Sequence, residues 1–256
     1  MEESNVGGVA MRIFVISLKD AVKRRASIVE QLSSMGLEFE FIDAIYGKEL
    51  SKSEVEQLVD QRIAYRYEGY RLTPGEIGCA LSHLAVYKRV VDEKIPYALI
   101  FEDDVAICPE LAKVLVAIDA DRSLIRYGIT LFSECPILSS PSLKLPIGGM
   151  CLHNVKGGCF AHAYIITNEA ARKLIELQTP VKHVADCWRW LLKHGLISIG
   201  AVRPVLTKQQ RNYFGSETTV AHPDVSKLPI LQFVKHKLVR CWWKLMDKMM
   251  LVESFG

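Results

Sequence analysis

The sequence predicts an α/β protein built on a mainly parallel sheet, and three observations carry that prediction. Residues 11–45 read as strand, helix, strand; a strongly signalled helix beginning at Pro74 runs into another apolar strand; and the alternation continues to about residue 205 without repeats or a low-complexity linker. Parallel strands need long, usually helical crossovers, which this alternation supplies. With 256 residues, half of them hydrophobic, the chain can bury the core of one large domain.

The elements follow in order. Residues 1–10 are polar and glycine-containing, and are expected to lie outside the fold, as a loose leader or as an appended tag. "MRIFVISL" is an uninterrupted apolar run, as expected of a strand buried on both faces. The helix through "AVKRRASIVEQLSSMG" ends at Gly36, and "LEFEFIDAI" alternates as a second strand. "SKSE" (Ser51–Glu54) and "TPGE" (Thr73–Glu76) have capping-box form, the second with proline at the first helical position, so a helix is expected from each. The second helix continues through "IGCALSHLAVYKRVVDEK", with Ile77, Leu81, Leu84 and Val91 on one stripe and Glu76, Cys79, His83 and Tyr87 on another. "YALIFE" is the next strand, and "PELAKVLVAID" restarts a helix after Pro109. Strands are expected in "IRYGITLF", "FAHAYIIT" and "LISIGAVRP", and helices in "NEAARKLIELQ" and "HVADCWRWLLKHG". "SECPILSSPSLKLPIGG" is the most loop-like stretch, and loops beside a parallel sheet often carry binding function.

Seven cysteines without C-x-x-C spacing suggest neither a disulfide framework nor a zinc site, and a reducing compartment fits them best. The N-terminus lacks the basic and apolar regions of a signal peptide, and no apolar run approaches the roughly 20 residues of a spanning helix, so a cytoplasmic protein, soluble or peripheral, is expected. Net charge is +3, but Lys227–Leu251 holds six basic residues against Asp247 alone, a net +5 that leaves −2 elsewhere. This argues against a body-wide nucleic-acid surface. In that segment Leu231, Val234, Leu238, Cys241, Leu245 and Met249 recur at helical spacing beside a basic face, with Trp242 and Trp243 between. Residues 227–256 are therefore expected to form a basic amphipathic helix, either lying on an anionic membrane surface or packed on the core of a domain spanning residues 11–226.

The chemistry is expected at "LIFEDDV", where Glu102, Asp103 and Asp104 end a buried strand. Close like charges repel, so a cation is expected beside them. Ligands of open parallel sheets sit beyond the carboxyl ends of the strands. Hard oxygen donors without cysteine select Mg²⁺ or Mn²⁺, which commonly share their remaining positions with phosphate oxygens and water. The alternative is a solvated turn stabilised by the dipole of the following helix.

"IFVISLKDAVKRRASI", "FEFIDAIYGKEL", "LTPGEIGCALSHLAVYK", "ALIFEDDV" and "HAYIITNEAARKL", in this order over residues 11–205, resemble glycosyltransferase family 25, which includes lipooligosaccharide galactosyl- and glucosyltransferases of Gram-negative bacteria. The resemblance implies a GT-A fold: a Rossmann-like mixed, mainly parallel sheet flanked by helices. It also implies a UDP-sugar donor, UDP-galactose above all, Mn²⁺ or Mg²⁺ dependence, inversion at the anomeric carbon, and a lipooligosaccharide or other glycolipid acceptor. A metal-dependent phosphohydrolase and a membrane-docked nucleotide-sugar binding protein are the rival classes; the first lacks the D-x-D-x-[TV] nucleophile motif.

On that resemblance, Glu102 and Asp104 match the outer acids of a D-x-D-like motif, with Asp104 as metal ligand, Asp103 in support, Glu102 on the metal or the ribose, and His222 as a candidate third ligand. Asp186, opening a helix, is the candidate base, with Glu134 and Asp224 in reserve. Trp188 or Trp190 would stack on a sugar of the acceptor, with His162 and Tyr164 nearby. Ser17, Leu18, Arg24, Arg25 and Asp43 would meet the nucleotide, although Ser17 departs from the family's usual asparagine. Glu76 and His83, on the polar stripe of the "TPGEIG" helix, are placed at or behind the donor site.

Overall fold

The computed structural model describes residues 10–134, 137–139, 142–157 and 160–210. Its strands are β1 (Arg12–Ser17), β2 (Glu40–Asp43), β3 (Tyr97–Glu102), β4 (Val105–Ile107), β5 (Ile129–Leu131), β6 (Ile137–Leu138), β7 (Leu143–Lys144), β8 (Cys151–Gly157), β9 (Ala163–Thr167), β10 (Ile199–Arg203) and β11 (Thr207–Gln209). The α-helices are α1 (Val22–Ser34), α2 (Lys52–Leu58), α3 (Gln61–Glu68), α4 (Pro74–Asp92), α5 (Glu110–Ala120), α6 (Asn168–Leu177) and α7 (Trp188–Lys193).

A nine-stranded sheet runs β2-β1-β3-β9-β5-β10-β8-β6, with β7 also on β8, while β11 and β4 form a separate pair. Strands β8 and β9 run against the others. The sheet is therefore mixed and mainly parallel, as expected. Alternation along each strand divides the core between the two faces. Phe14, Ile16, Ala98, Ile100, Tyr164 and Ile166 face one apolar cluster, which includes residues of α4, α6 and α7. Ile13, Val15, Leu99, Phe101, Ala163 and Ile165 face the other, which includes residues of α1 and α5. This is why β1, β3 and β9 read as near-continuous apolar runs.

Both capping boxes form. Ser51 Oγ accepts from the backbone N–H of Glu54, Thr73 Oγ1 accepts from that of Glu76, and each glutamate returns to its cap. Helix α1 stops before Gly36, whose φ is +66°. Helix α7 is shorter than "HVADCWRWLLKHG" suggested because Gln178 Oε1 accepts from the N–H groups of Lys182 and His183, holding that stretch in a turn. Helix α3, the short strands β4 and β11, and β8 were not anticipated. Strand β8 carries His153, Asn154 and Lys156 among its apolar residues, which disguises its period. The loop-like stretch contributes β6 and β7, both paired with β8. The helix expected over residues 227–256 lies outside the described residues.

Two glycines seat α4 against the β2–α2 connection. A Cβ on Gly47 would meet the carbonyl oxygen of Pro74 at 1.8 Å, and one on Gly78 would meet that of Ile45 at 2.4 Å. Backbone thus approaches backbone where any side chain would collide. Ser82 Oγ accepts from the N–H of Ile45 at 2.8 Å and donates to the carbonyl of Gly78 at 2.6 Å, fastening the same contact.

Candidate functional site

Parallel pairing brings three strand ends together: Ser17 pairs with Asp43, and Ile16 with Glu102. The sheet opens there into a cleft whose lining includes Ser17, Leu18, Arg24, His83 and Glu102–Asp104, with the segment 44–48 also on its wall. Of the sequence-predicted nucleotide and metal residues, seven therefore meet in one place.

The three acids are held differently. Asp103 is buried; its Oδ2 accepts from Ser17 Oγ at 2.6 Å, and its Oδ1 lies 3.6 Å from an Arg24 guanidinium nitrogen. Burial still raises its pKa against both of those partners. Asp104 is buried in the turn between β3 and β4. Its backbone carbonyl accepts from the N–H of Gln210 at 2.7 Å, and its Oδ2 accepts from Gln209 Nε2 at 2.9 Å. Among the described residues its Oδ1, which is buried, has no hydrogen-bond partner, and burial, with the negative Glu102 next, pushes its pKa up to about 6. Glu102 Oε1 lies 3.2 Å from His83 Nε2 and 3.9 Å from Cys79 Sγ. Behind it His83 Nδ1 is 2.7 Å from the Tyr164 hydroxyl, itself 2.6 Å from that of Tyr87.

A divalent cation fits this donor set. A buried carboxylate oxygen without a partner is costly unless something positive meets it. Among the described residues one guanidinium, that of Arg24, stands within ion-pair distance of Asp103, and burial raises the pKa values of both Asp103 and Asp104.

Arg25 pairs with Asp43 at 2.7 Å, donates to the carbonyls of Ser17 and Leu18, and lies over the Phe41 ring, so it braces the end of β1 beside the cleft. That pairing holds the Asp43 carboxyl below the ordinary range. The Glu76 carboxylate accepts from the backbone and hydroxyl of Thr73 and from Tyr70, which commits it to the start of α4. Asp186 Oδ2 accepts from the N–H of Phe160 at 2.8 Å. Burial raises its pKa, and Glu102 is close enough to add to the effect. Glu134 is exposed, while His222 and Asp224 lie outside the described residues.

The acceptor assignments need correction. Trp188 is 0% exposed and its indole N–H donates to the carbonyl of Phe160, so its ring is core and offers no face to a sugar. Tyr164 is likewise 0% exposed, sealed between His83, Tyr87 and Trp188, and His162 is buried at 3%. Trp190 is half-buried, with its ring stacked on His183 at 4.4 Å. Several cleft residues had no assigned role in the sequence reading, Gln209 and Cys79 among them. Gln209, on β11, has no local sequence signal, whereas Cys79 shares the stripe of His83 and was legible from spacing.

The sequence profile of the family described as "Glycosyltransferase family 25 (LPS biosynthesis protein)" matches residues 10–188, well over half of the chain. The chain belongs to glycosyltransferase family 25. The match covers β1 through the start of α7, and so includes the cleft except for Gln209. Among the family's relatives, "Lipooligosaccharide biosynthesis protein lic2B" of Haemophilus influenzae is 30% identical over 63% of this chain and 61% of its own length. "Procollagen galactosyltransferase 2" of Homo sapiens is 36% identical over 64% of this chain and 27% of its own. "Inactive glycosyltransferase 25 family member 3" of Mus musculus is 30% identical over 65% of this chain and 29% of its own. The chain thus spans about three fifths of the bacterial relative and less than a third of the two mammalian ones. Among the described residues of this family member, no helix is long and apolar enough to cross a membrane.

Proposed function

We propose that the chain is an inverting, metal-dependent glycosyltransferase that moves a hexose, galactose first, from a UDP-sugar to a sugar of a lipooligosaccharide or related glycolipid. The carrying observation is the cleft at the strand ends, where Asp104 keeps a buried oxygen without a hydrogen bond beside Glu102, Asp103 and Arg24. Family membership supports the reaction class. The Haemophilus relative's name supports the acceptor and the human relative's name supports galactose.

Breaking the bond between sugar and nucleotide leaves negative charge on the diphosphate. Mn²⁺ or Mg²⁺ held by Asp104 and Glu102 would supply Lewis-acid neutralisation of that charge. Arg24 adds a planar fork suited to phosphate oxygens. Asp103, anchored by Ser17, fixes the turn that presents its two neighbours. Asp186 takes the proton of the attacking hydroxyl. Burial holds its pKa above the ordinary carboxylate value, toward the working pH where a general base is most effective. Residues 227–256, with their excess of lysine and arginine, would hold the protein on the anionic cytoplasmic face of the membrane that carries the acceptor.

The test is a donor screen of the purified full chain with UDP-sugars and Mn²⁺, followed by NMR of the product linkage. UDP release from UDP-galactose, lost on chelation and in Asp104→Asn, is expected. Phosphate release from simple esters would point instead to a phosphohydrolase. The mouse relative named inactive favours one second reading, binding without turnover; calorimetric binding of UDP with no product from any donor would select it.

A further inference from the structure

Cys79, His83 and Glu102 each offer a ligand atom, and these atoms lie within 4.8 Å of one another. Cys79 and His83 stand one helical turn apart on α4, so they share a face, and Glu102 ends the neighbouring strand β3. We propose that these three residues form a binding site for a soft divalent cation, Zn²⁺, in the cleft, beside the hard-oxygen position at Asp104 and sharing Glu102 with it.

Geometry supports this directly. Zinc bonds of about 2.0–2.1 Å to nitrogen, 2.0–2.2 Å to oxygen and 2.3 Å to sulfur, set at tetrahedral angles, place nitrogen and oxygen about 3.4 Å apart and sulfur and oxygen about 3.6 Å apart. The observed separations are 3.2 Å for His83 Nε2 to Glu102 Oε1 and 3.9 Å for Cys79 Sγ to the same oxygen. These two separations lie within tenths of an ångström of zinc geometry, and the third, between Cys79 and His83, is within 4.8 Å.

The surroundings fit as well. A zinc-bound histidine characteristically uses its other ring nitrogen to bond a fixed partner, which sets its tautomer. Here His83 Nδ1 meets the buried Tyr164 hydroxyl at 2.7 Å, and Tyr87 fixes that hydroxyl in turn. With Nδ1–H donating to Tyr164, Nε2 carries the lone pair that a metal needs. Sulfur and imidazole donors select zinc over manganese or magnesium. Three protein ligands leave a fourth position open, and all three residues line the cleft, so water or an anionic oxygen from a bound ligand can complete the site. Binding displaces the Cys79 thiol proton to solvent and leaves a thiolate on the metal. The sequence concealed this site because zinc is usually sought in paired cysteines, and here one cysteine is paired with a histidine four positions on.

Cobalt(II) serves as a spectroscopic stand-in for zinc on the purified full chain. One equivalent is expected to give a thiolate-to-cobalt charge-transfer band that Zn²⁺ abolishes, that Cys108→Ser retains and that Cys79→Ser loses. Tyr164→Phe, which removes only the hydroxyl behind His83, is expected to weaken zinc binding by about 10–100-fold. On the unmodified chain, Zn²⁺ should slow alkylation of Cys79, followed by mass spectrometry, at least about tenfold, a readout that needs no variant to fold. Absence of the band, a band that survives Cys79→Ser, or alkylation of Cys79 indifferent to Zn²⁺ would overturn the site. None of these measurements uses a sugar nucleotide, so their failure leaves the transferase reading standing and the converse also holds.

Discussion

At the scale of single residues, the site is defined by which carboxylates are satisfied. Asp103 has a hydroxyl and a guanidinium, whereas Asp104 has one amide and an orphaned oxygen. A cation that binds only the native state stabilises it by mass action, about 2.7 kcal/mol at one hundred times its dissociation constant. Mn²⁺ is therefore expected to raise the melting temperature of the parent protein, and Asp104→Asn to lose most of that rise; equal shifts in both would remove Asp104 from the site. Asp186 carries a second prediction. Its pKa is raised in the folded protein above the ordinary 3.8, by burial first. The favourable contribution of its neutral form is complete below the unfolded value and is lost as pH rises through the folded value. Asp186→Asn, which can still accept from Phe160, should thus gain stability relative to the parent as melts move from pH 4 to pH 8. Its kcat should fall about 10²–10⁴-fold if Asp186 is the base. The acids were legible because three in a row must be explained by something. Trp188 and Tyr164 were misread because a sequence shows that a ring is present and does not show which side of it is covered.

At the scale of elements, two short capping signals were the most informative words in the chain. "SKSE" and "TPGE" each specify a reciprocal pair of hydrogen bonds, and both pairs form as read. Elements whose identity depends on a distant partner were not legible. Strand β11 exists through pairing with β4, and the shortened α7 follows from a glutamine on the preceding segment. The seam between α4 and the β2–α2 connection belongs to the same class, since nothing in "YGKEL" announces that Gly47 lies against Pro74. Gly78→Ala puts a methyl 2.4 Å from the Ile45 carbonyl oxygen, and a collision with backbone is relieved only by moving α4. Overpacking of this kind costs about 1–3 kcal/mol. At about 2–4 °C per kcal/mol for a chain of this size, Gly78→Ala should melt several degrees low. Gly148→Ala, where an added Cβ meets nothing within 4 Å, should melt with the parent. A displaced α4 would also carry Cys79 and His83 away from Glu102, so the variant should lose cleft function at temperatures where it remains folded.

At the scale of the whole molecule, the sheet separates stability from chemistry. Apolar alternation commits both faces of β1, β3 and β9 to the core, which leaves the strand ends as the place where charge can gather. Net charge is distributed just as unevenly along the chain. Residues 227–251 hold a net +5, while the remainder is slightly negative and gathers three acids at the end of β3. A uniformly basic protein would bind any polyanion, whereas this one concentrates its attraction in a single segment that also carries Trp242 and Trp243. At about 1 kcal/mol per basic residue near an anionic leaflet, such a segment can hold a protein reversibly at low salt, and the attraction fades over a Debye length of about 8 Å at physiological ionic strength. The full chain should therefore co-sediment with vesicles containing phosphatidylglycerol and stay in solution with vesicles of neutral phosphatidylcholine. Added salt should release most of it, and the combined variant Lys235→Gln, Lys237→Gln, Arg240→Gln, Lys244→Gln should fail to sediment while still melting like the parent. Sedimentation unchanged by those four substitutions would locate membrane attraction elsewhere on the molecule, and absence of sedimentation in the parent would return residues 227–256 to the alternative of a helix packed on the domain.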